Sequence, residues 1–212
     1  MAQAGFDEVQ KAVRTIAQTA VDNEVYFGQL DAVVGDGDFG YSLARGFEIV
    51  LADWDDLDRT DAATFLRKVA VVLTSRIGGT SGPIWGTAFL RAGSAMNGAE
   101  AIGSAELVAG LRAAIEGIKQ RGQSDVGDKT LLDALVPATD ALEEGLAAGD
   151  PLPAALARAA ETARTSAEAT TPMLAKRGRA SYTGERSIGS PDAGAMGVAV
   201  MFERLAAEWP AA

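Results

Sequence analysis

From Asp7 to Glu208 the apolar residues of this chain recur three and four positions apart, interrupted by glycine-rich segments, and nowhere alternate with polar residues at period two. Three-and-four spacing is the period of an amphipathic helix, whereas a half-buried strand needs a period of two. The chain is therefore expected to be all-α. The first helix runs from Asp7 to Phe27, with Val9, Val13, Ile16, Ala17, Ala20 and Val21 on one face. A second covers Gly40 to Asp53, with Leu43, Phe47 and Val50, and a third starts at Asp61 and carries Phe65, Val69, Val72 and Leu73. The fourth opens at Pro83, a residue suited to a first turn, and reaches Asn97; the fifth is capped by Ser104 and carries Leu107, Leu111, Ile115 and Ile118. The sixth spans Thr130 to Ala147, bent at Pro137. Asp150-Pro151 announces the seventh, which reaches Ala175, and the eighth runs from Ala193 to Glu208. Eight helices, no sheet and one domain over residues 1–212 are the expectation.

The breaks carry as much information as the helices. Four connections are rich in glycine: 30–40, 77–82, 122–129 and 177–194. Short connections make consecutive helices antiparallel neighbours. In such an up-and-down order, the connections after helices one, three, five and seven lie at the same end, and these are the four. The sequence thus predicts one shared site at one mouth of a helical bundle.

Composition limits what that site can be. With 29 acidic against 19 basic residues the formal charge is −10, which disfavours nucleic acid and anionic membranes as partners. There is no His and no Cys. Serine–histidine catalysis, thiol chemistry and nitrogen- or sulfur-ligated zinc are excluded, so any metal must be held by oxygen. Met1 to Gln10 has no basic cluster and reads as no secretory leader. No apolar run approaches the roughly 20 residues that span a bilayer. A soluble, cytoplasmic protein is expected.

Asp31, Asp36 and Asp38 fall within eight residues, with glycines at 35, 37 and 40 to let the backbone turn. Carboxylates so crowded repel one another unless a cation intervenes, and hard oxygen ligands suit Mg²⁺, with room for two ions. Asp-Gly pairs are also ordinary turn formers. Three other readings of the segment fail. Gly35-x-Gly37-x-x-Gly40 fits a dinucleotide fingerprint only after a strand, and none precedes it. Asp38-Phe39-Gly40 lacks the histidine-containing catalytic loop of protein kinases. A calcium loop starting at Asp36 would need Glu where Phe47 stands.

Gly78-Gly79-Thr80-Ser81-Gly82 leads into a helix and offers two hydroxyls and free backbone donors, an anion site, although Ser81 as a simple cap is equally compatible. It is not a Walker A loop, for want of the Gly-Lys-Ser/Thr ending. Gly127-Asp128-Lys129-Thr130 also precedes a helix, with Asp128 or Thr130 as the expected cap. The segment from Arg177 to Gly194 is long, glycine-rich and basic; its arginines suit a transferring phosphoryl group, a solvated face or a partner contact.

Gly-Asp-Gly-Asp-x-Gly, Gly-Gly-Thr-Ser-Gly, Gly-Asp-Lys-Thr-x-x-Asp-Ala-Leu-x-Pro-Ala and Gly-Arg-Ala-Ser-Tyr-x-Gly-Glu-Arg-Ser-Ile-Gly occur here in this order. Together they resemble the L subunit, or C-terminal nucleotide domain, of dihydroxyacetone kinases, over Asp31 to Gly194. The resemblance implies a barrel of eight antiparallel amphipathic helices with ADP or ATP capping one end. It implies that Asp31, Asp36 and Asp38 hold two Mg²⁺ ions bridging the phosphates, and that Gly79, Thr80 and Ser81 meet those phosphates. Phe39, Gly40 and Ser42 would follow the acidic loop at the nucleotide; Gly122, Thr130 and Leu131 would lie near the adenine; Arg179, Asp192 and Gly194 would complete the pocket, with Arg179 catalytic alongside the aspartates.

It also implies partners: a separate K subunit that binds dihydroxyacetone through a His, and either ATP or a phosphotransferase M subunit as donor. Phe39, Ser190, Ala193 and Met196-Gly197 depart from the family's pattern, which leaves the ketose open between dihydroxyacetone, erythrulose and others. Fatty-acid kinases carry a similar domain, but their glycine loop differs from Gly78–Gly82. A regulatory module that binds nucleotide without chemistry, and a plain helical scaffold, are the competing readings. A homodimer is compatible with the sequence.

Overall fold

The computed structural model describes residues 3–209. Its helices are α1 (Phe6–Asp22), α2 (Glu24–Ala32), α3 (Phe39–Ala52), α4 (Ala62–Arg76), α5 (Ser81–Ala95), α6 (Ser104–Gly122), α7 (Leu132–Ala147), α8 (Leu152–Glu168) and α9 (Ala193–Glu208), with a 3-10 segment at Arg179–Ser187 between the last two. No strand occurs among the described residues; Ala4 and Ala101 form an isolated bridge. From α3 to α9 each helix packs on the next, and α1 packs on both α9 and α3. These eight helices close into a ring, and the expected barrel is the fold observed. No described helix is long and apolar enough to cross a membrane.

The ninth helix corrects the expected count. The first predicted helix is two helices that break at Asn23, whose side chain donates to Thr19 O at 2.8 Å and so competes with the helical ladder. The short piece, α2, lies against α3 and α9. Its approach to α3 is backbone to backbone: a Cβ on Gly40 would overlap Glu24 O and the Gly28 amide. The predicted seventh helix also overruns. It ends at Glu168, because Thr170 Oγ1 bonds to Ala167 O and Pro172 disfavours helical backbone at the preceding residue. Pro137 stays inside a continuous α7.

The two sides of the ring are built differently. Across α1, α3, α4 and α5 the wall is aromatic: Phe47 meets Trp85 and Phe89 edge-on with centroids 6.2 and 6.1 Å apart, and Phe65 meets Phe6 and Trp54 likewise. Across α7, α8 and α9 it is made of alanine, with Ala155, Ala159, Ala163 and Ala167 of α8 buried against Ala134, Ala138, Ala195 and Ala199. Small side chains let those three helices approach closely. Between the walls lies an apolar lumen of about 450 Å³, bounded by Val13, Phe89, Leu111, Leu135, Leu156 and Met201 among others.

Candidate functional site

All four glycine-rich connections meet at one end of the ring. Together they line a second cavity of about 460 Å³, whose walls include Asp31, Asp36, Asp38, Phe39, Gly78–Ser81, Gly122, Lys129–Leu131, Arg177–Ala180 and Asp192–Gly194. The mouth anticipated from helix order is therefore present.

Asp31 occupies the last turn of α2, and Asp36 and Asp38 the loop that follows. The chain folds back because Gly35 N donates to Asp31 O at 2.5 Å, and because Gly35 lacks the Cβ that would overlap the Asp31 carboxylate. Gly37, at φ 78°, makes the second turn in a conformation that favours glycine. Asp31 Oδ2 then accepts from Phe39 N at 3.4 Å, which ties the carboxylate to the start of α3. One carboxylate oxygen from each of Asp31, Asp36 and Asp38 lies within 4.8 Å of the others. Arg179, reaching across from the 3-10 segment, pairs with Asp36 and lies 3.5 Å from Asp38. An all-oxygen set of three anions, already collecting a cation from the opposite loop, fits Mg²⁺.

Facing the carboxylates is the start of α5. Thr80 is its N-cap yet makes no side-chain capping bond, which leaves its hydroxyl and the Ser81 amide, both of residues that line the cavity, without a capping partner. The simple-cap reading of Ser81 does not apply, since Ser81 is already the first helical residue. Gly79, at φ 62°, has nothing within 4 Å of where a Cβ would stand, and leaves the loop open to a ligand. Ile84, Trp85, Ile118 and Leu131 add an apolar patch to the wall, beside the polar Arg121, Ser124 and Thr130.

Of the two expected caps of α7, Thr130 serves and Asp128 does not: Thr130 Oγ1 accepts from Leu132 N at 3.2 Å. Asp133 reciprocates and folds the loop, accepting from Thr130 N at 2.7 Å and Gly127 N at 2.5 Å. Asp128 holds Lys176 and Arg177 of the opposite loop. Asp192 caps α9 through Ala195 N at 2.7 Å. Burial pushes its carboxyl up to about 7; Asp133 adds to this, while the bond from Ala195, the charge of Lys129 and a backbone bond from Gly194 oppose it. Lys129 is 2% exposed, and desolvation holds its ammonium below the usual lysine range against the pull of Asp192.

Of the predicted residues, Asp31, Asp36, Asp38, Phe39, Gly79, Thr80, Ser81, Gly122, Thr130, Leu131, Arg179, Asp192 and Gly194 all line the cavity. Gly40 and Ser42 do not: Gly40 is spent on the α2–α3 contact, and Ser42 lies behind the glycine loop, its Oγ 3.7 Å from where a Cβ on Gly78 would stand. Lys129, Asp133, Ile84, Trp85, Ile118, Arg121 and Ser124 are among the contributors that sequence reasoning passed over. For Trp85 and Ile118 the only signal is a place on an apolar helical face, which any core residue shares. The departure at Phe39 has a packing reason: its ring lies 6.0 Å from that of Phe27 and 3.6 Å from where a Cβ on Gly197 would stand.

A closed ring of antiparallel helices, with an acidic loop and a helix N-terminus facing each other across one mouth, defines a class of helical domains built to hold an anion through cations. The family model described as "DAK2 domain" matches residues 33–207, and the chain belongs to that family as a DhaL-type member. It is 37% identical over 181 residues to the PEP-dependent dihydroxyacetone kinase ADP-binding subunit DhaL of Escherichia coli K12, covering 85% of this chain and 86% of that one. It is 36% identical to the L-erythrulose kinase of Pectobacterium atrosepticum, covering 94% of this chain and 34% of that longer one. The dihydroxyacetone kinase of C. freundii superposes with a TM-score of 0.77 in its native form and 0.73 in its complex with AMP-PNP and Mg²⁺, at 28% identity in both. The matches cover 98% and 95% of this chain, and 35% and 34% of those chains.

Proposed function

We propose that this chain is the ADP- or ATP-binding subunit of a dihydroxyacetone-type kinase, a single cytoplasmic domain that passes a phosphoryl group to a small ketose held by a separate K subunit. One observation carries the reading: the clustered oxygens of Asp31, Asp36 and Asp38 share a cavity with the uncapped start of α5. The relatives support it, since the E. coli protein is by name an ADP-binding subunit and the C. freundii kinase binds AMP-PNP with Mg²⁺. Two Mg²⁺ ions, held by the three carboxylates, would supply the positive charge that lets an acidic chain grip a polyphosphate.

The protein's own residues do the rest by placement. The α5 amides with Thr80 and Ser81 orient the phosphates. Ile84, Trp85, Ile118 and Leu131 give the base an apolar seat. Arg179 stands where charge develops on the transferring group. The chain has no histidine to act as base or to carry a ketose, so the acceptor arrives on the partner and meets the nucleotide at the open mouth. Donor and ketose follow the partners: a phosphotransferase M subunit or ATP for the first, dihydroxyacetone or erythrulose for the second.

The test is a reconstituted kinase assay with the dihydroxyacetone-binding subunit. Asp36→Asn should cut transfer by roughly a thousandfold, while the variant melts close to the parent in the absence of ligand. Undiminished transfer in that variant refutes the assignment. Magnesium-dependent ADP binding with no turnover from any donor would instead mark a regulatory nucleotide module.

A further inference from the structure

Lys129 is buried in the wall of the nucleotide cavity, and its ammonium is directed at backbone oxygens. It donates to Met173 O at 3.1 Å, Ser187 O at 2.5 Å and Ser190 O at 2.8 Å. An ammonium carries three hydrogens, and three carbonyls use all of them. Those carbonyls belong to the two ends of a single segment, 173–190, and Arg179 stands between the ends.

The middle of the segment is shaped by short-range bonds, the hydroxyls of Ser181, Thr183 and Ser187 donating at 2.7 Å to the carbonyls of Gly178, Ala180 and Gly184, but these bonds do not anchor it to the ring. It passes through positive φ at Gly178 (65°) and Gly184 (59°), and Tyr182 near its middle is 91% exposed. Apart from the pairing of Arg179 with Asp36 and Asp38, its other ties sit near the same two ends: Ser187 Oγ accepts from Ala175 N at 3.0 Å, and Gly189 N donates to Thr171 O at 2.9 Å. Lys176 and Arg177 pair with Asp128, one residue before Lys129. The backbone at Lys129 itself lies at φ 61°, a conformation that favours glycine. Local geometry therefore gives no reason for a lysine, and the reason must lie in the side chain.

We propose that Lys129 is a positioning residue for phosphoryl transfer: by drawing three carbonyls onto one buried cation, it holds the 173–190 arch in the shape that keeps the Arg179 guanidinium over Asp36 and Asp38. The consequence for transfer rests on the kinase reading above; the fixing of the arch does not. Arginine is no substitute, because a planar fork does not match three converging acceptors.

Lys129→Gly tests this directly. Glycine suits the backbone at this position and leaves the ammonium's place vacant for a small cation. In the ligand-free full chain, hydrogen exchange across 174–190 should quicken roughly tenfold or more, since charge-assisted bonds are lost. Added methylammonium should restore protection where tetramethylammonium, which has no N–H, does not. In the reconstituted kinase, Lys129→Gly should lower kcat with ADP affinity changed only a few-fold, and should add little to Arg179→Ala in the double variant. Unchanged exchange in Lys129→Gly overturns the proposal, as does a full additive loss in the double variant. If the parent protein shows no turnover, the kinase reading falls, while exchange and its rescue by methylammonium still decide the role of Lys129.

Discussion

The pairing of Arg179 with Asp36 and Asp38 makes a prediction in which two readouts move in opposite directions. The guanidinium and a divalent ion compete for the same carboxylates. Replacing Arg179 by Gln removes one positive charge from beside the cation position. A single and a double charge roughly 5 Å apart repel by about 1.7 kcal/mol at the dielectric of water. The side chains are far from buried, with Arg179 57% exposed and Asp36 and Asp38 at 40% and 50%, so salt screening reduces this to roughly 1 kcal/mol. Arg179→Gln should therefore bind Mn²⁺ without nucleotide about fivefold more tightly than the parent, read by titration of the free-ion electron spin resonance signal. The gain should shrink as ionic strength rises. Transfer in the reconstituted kinase should fall by a hundredfold or so, because a charge aimed at the transferring group is lost. Weaker or unchanged Mn²⁺ binding in the variant would refute the idea that Arg179 shares its site with the cation.

Two further outcomes follow from residues already described. Asp192 has a folded pKa of about 7 against an ordinary 3.8. The stability it lends is complete below about pH 4 and is lost as pH rises through 7, so Asp192→Asn, which keeps a capping oxygen, should show a flatter melting temperature between pH 4 and 7 than the parent; parallel curves would contradict this. Gly86 lets α5 lie against α4, and a Cβ there would stand 3.0 Å from Ala70 O and overlap the Thr74 hydroxyl. Gly86→Ala should cost about 1–3 kcal/mol in a urea denaturation curve, and an unshifted midpoint would show that the two helices are less tightly pressed than described.

The helical period announced the staves of the barrel because each helix carries its own buried face. Where a helix stops is a different matter. The break at Asn23 and the early end of α8 depend on single side chains, Asn23 and Thr170, that turn their hydrogen bonds inward against an otherwise unbroken apolar pattern. The same distinction runs through the site. The Asp31, Asp36 and Asp38 cluster and the Gly78–Gly82 loop were legible because their pattern is local: the carboxylates and the turn residues that gather them lie side by side in sequence. Gly40 shares that neighbourhood but serves a helix contact, and no local pattern separates the two uses. Lys129 was illegible as a structural centre because its acceptors are carbonyls 44 to 61 positions away, and a carbonyl leaves no trace in residue identity.

The ring has one more property, which follows from α1 lying against α9. Lys11 donates to Glu208 O at 2.7 Å and covers the Trp209 ring, so the first and last helices meet at a seam on the side away from the nucleotide mouth. Such a seam is topologically no different from any other gap between neighbours. The turn between α5 and α6 belongs to the same far rim and is tied to the approach to α1, Gln3 Nε2 donating to Ala99 O at 2.6 Å and Ile102 N to Ala4 O at 2.8 Å. What closes the ring thus sits at the end opposite the four glycine-rich connections.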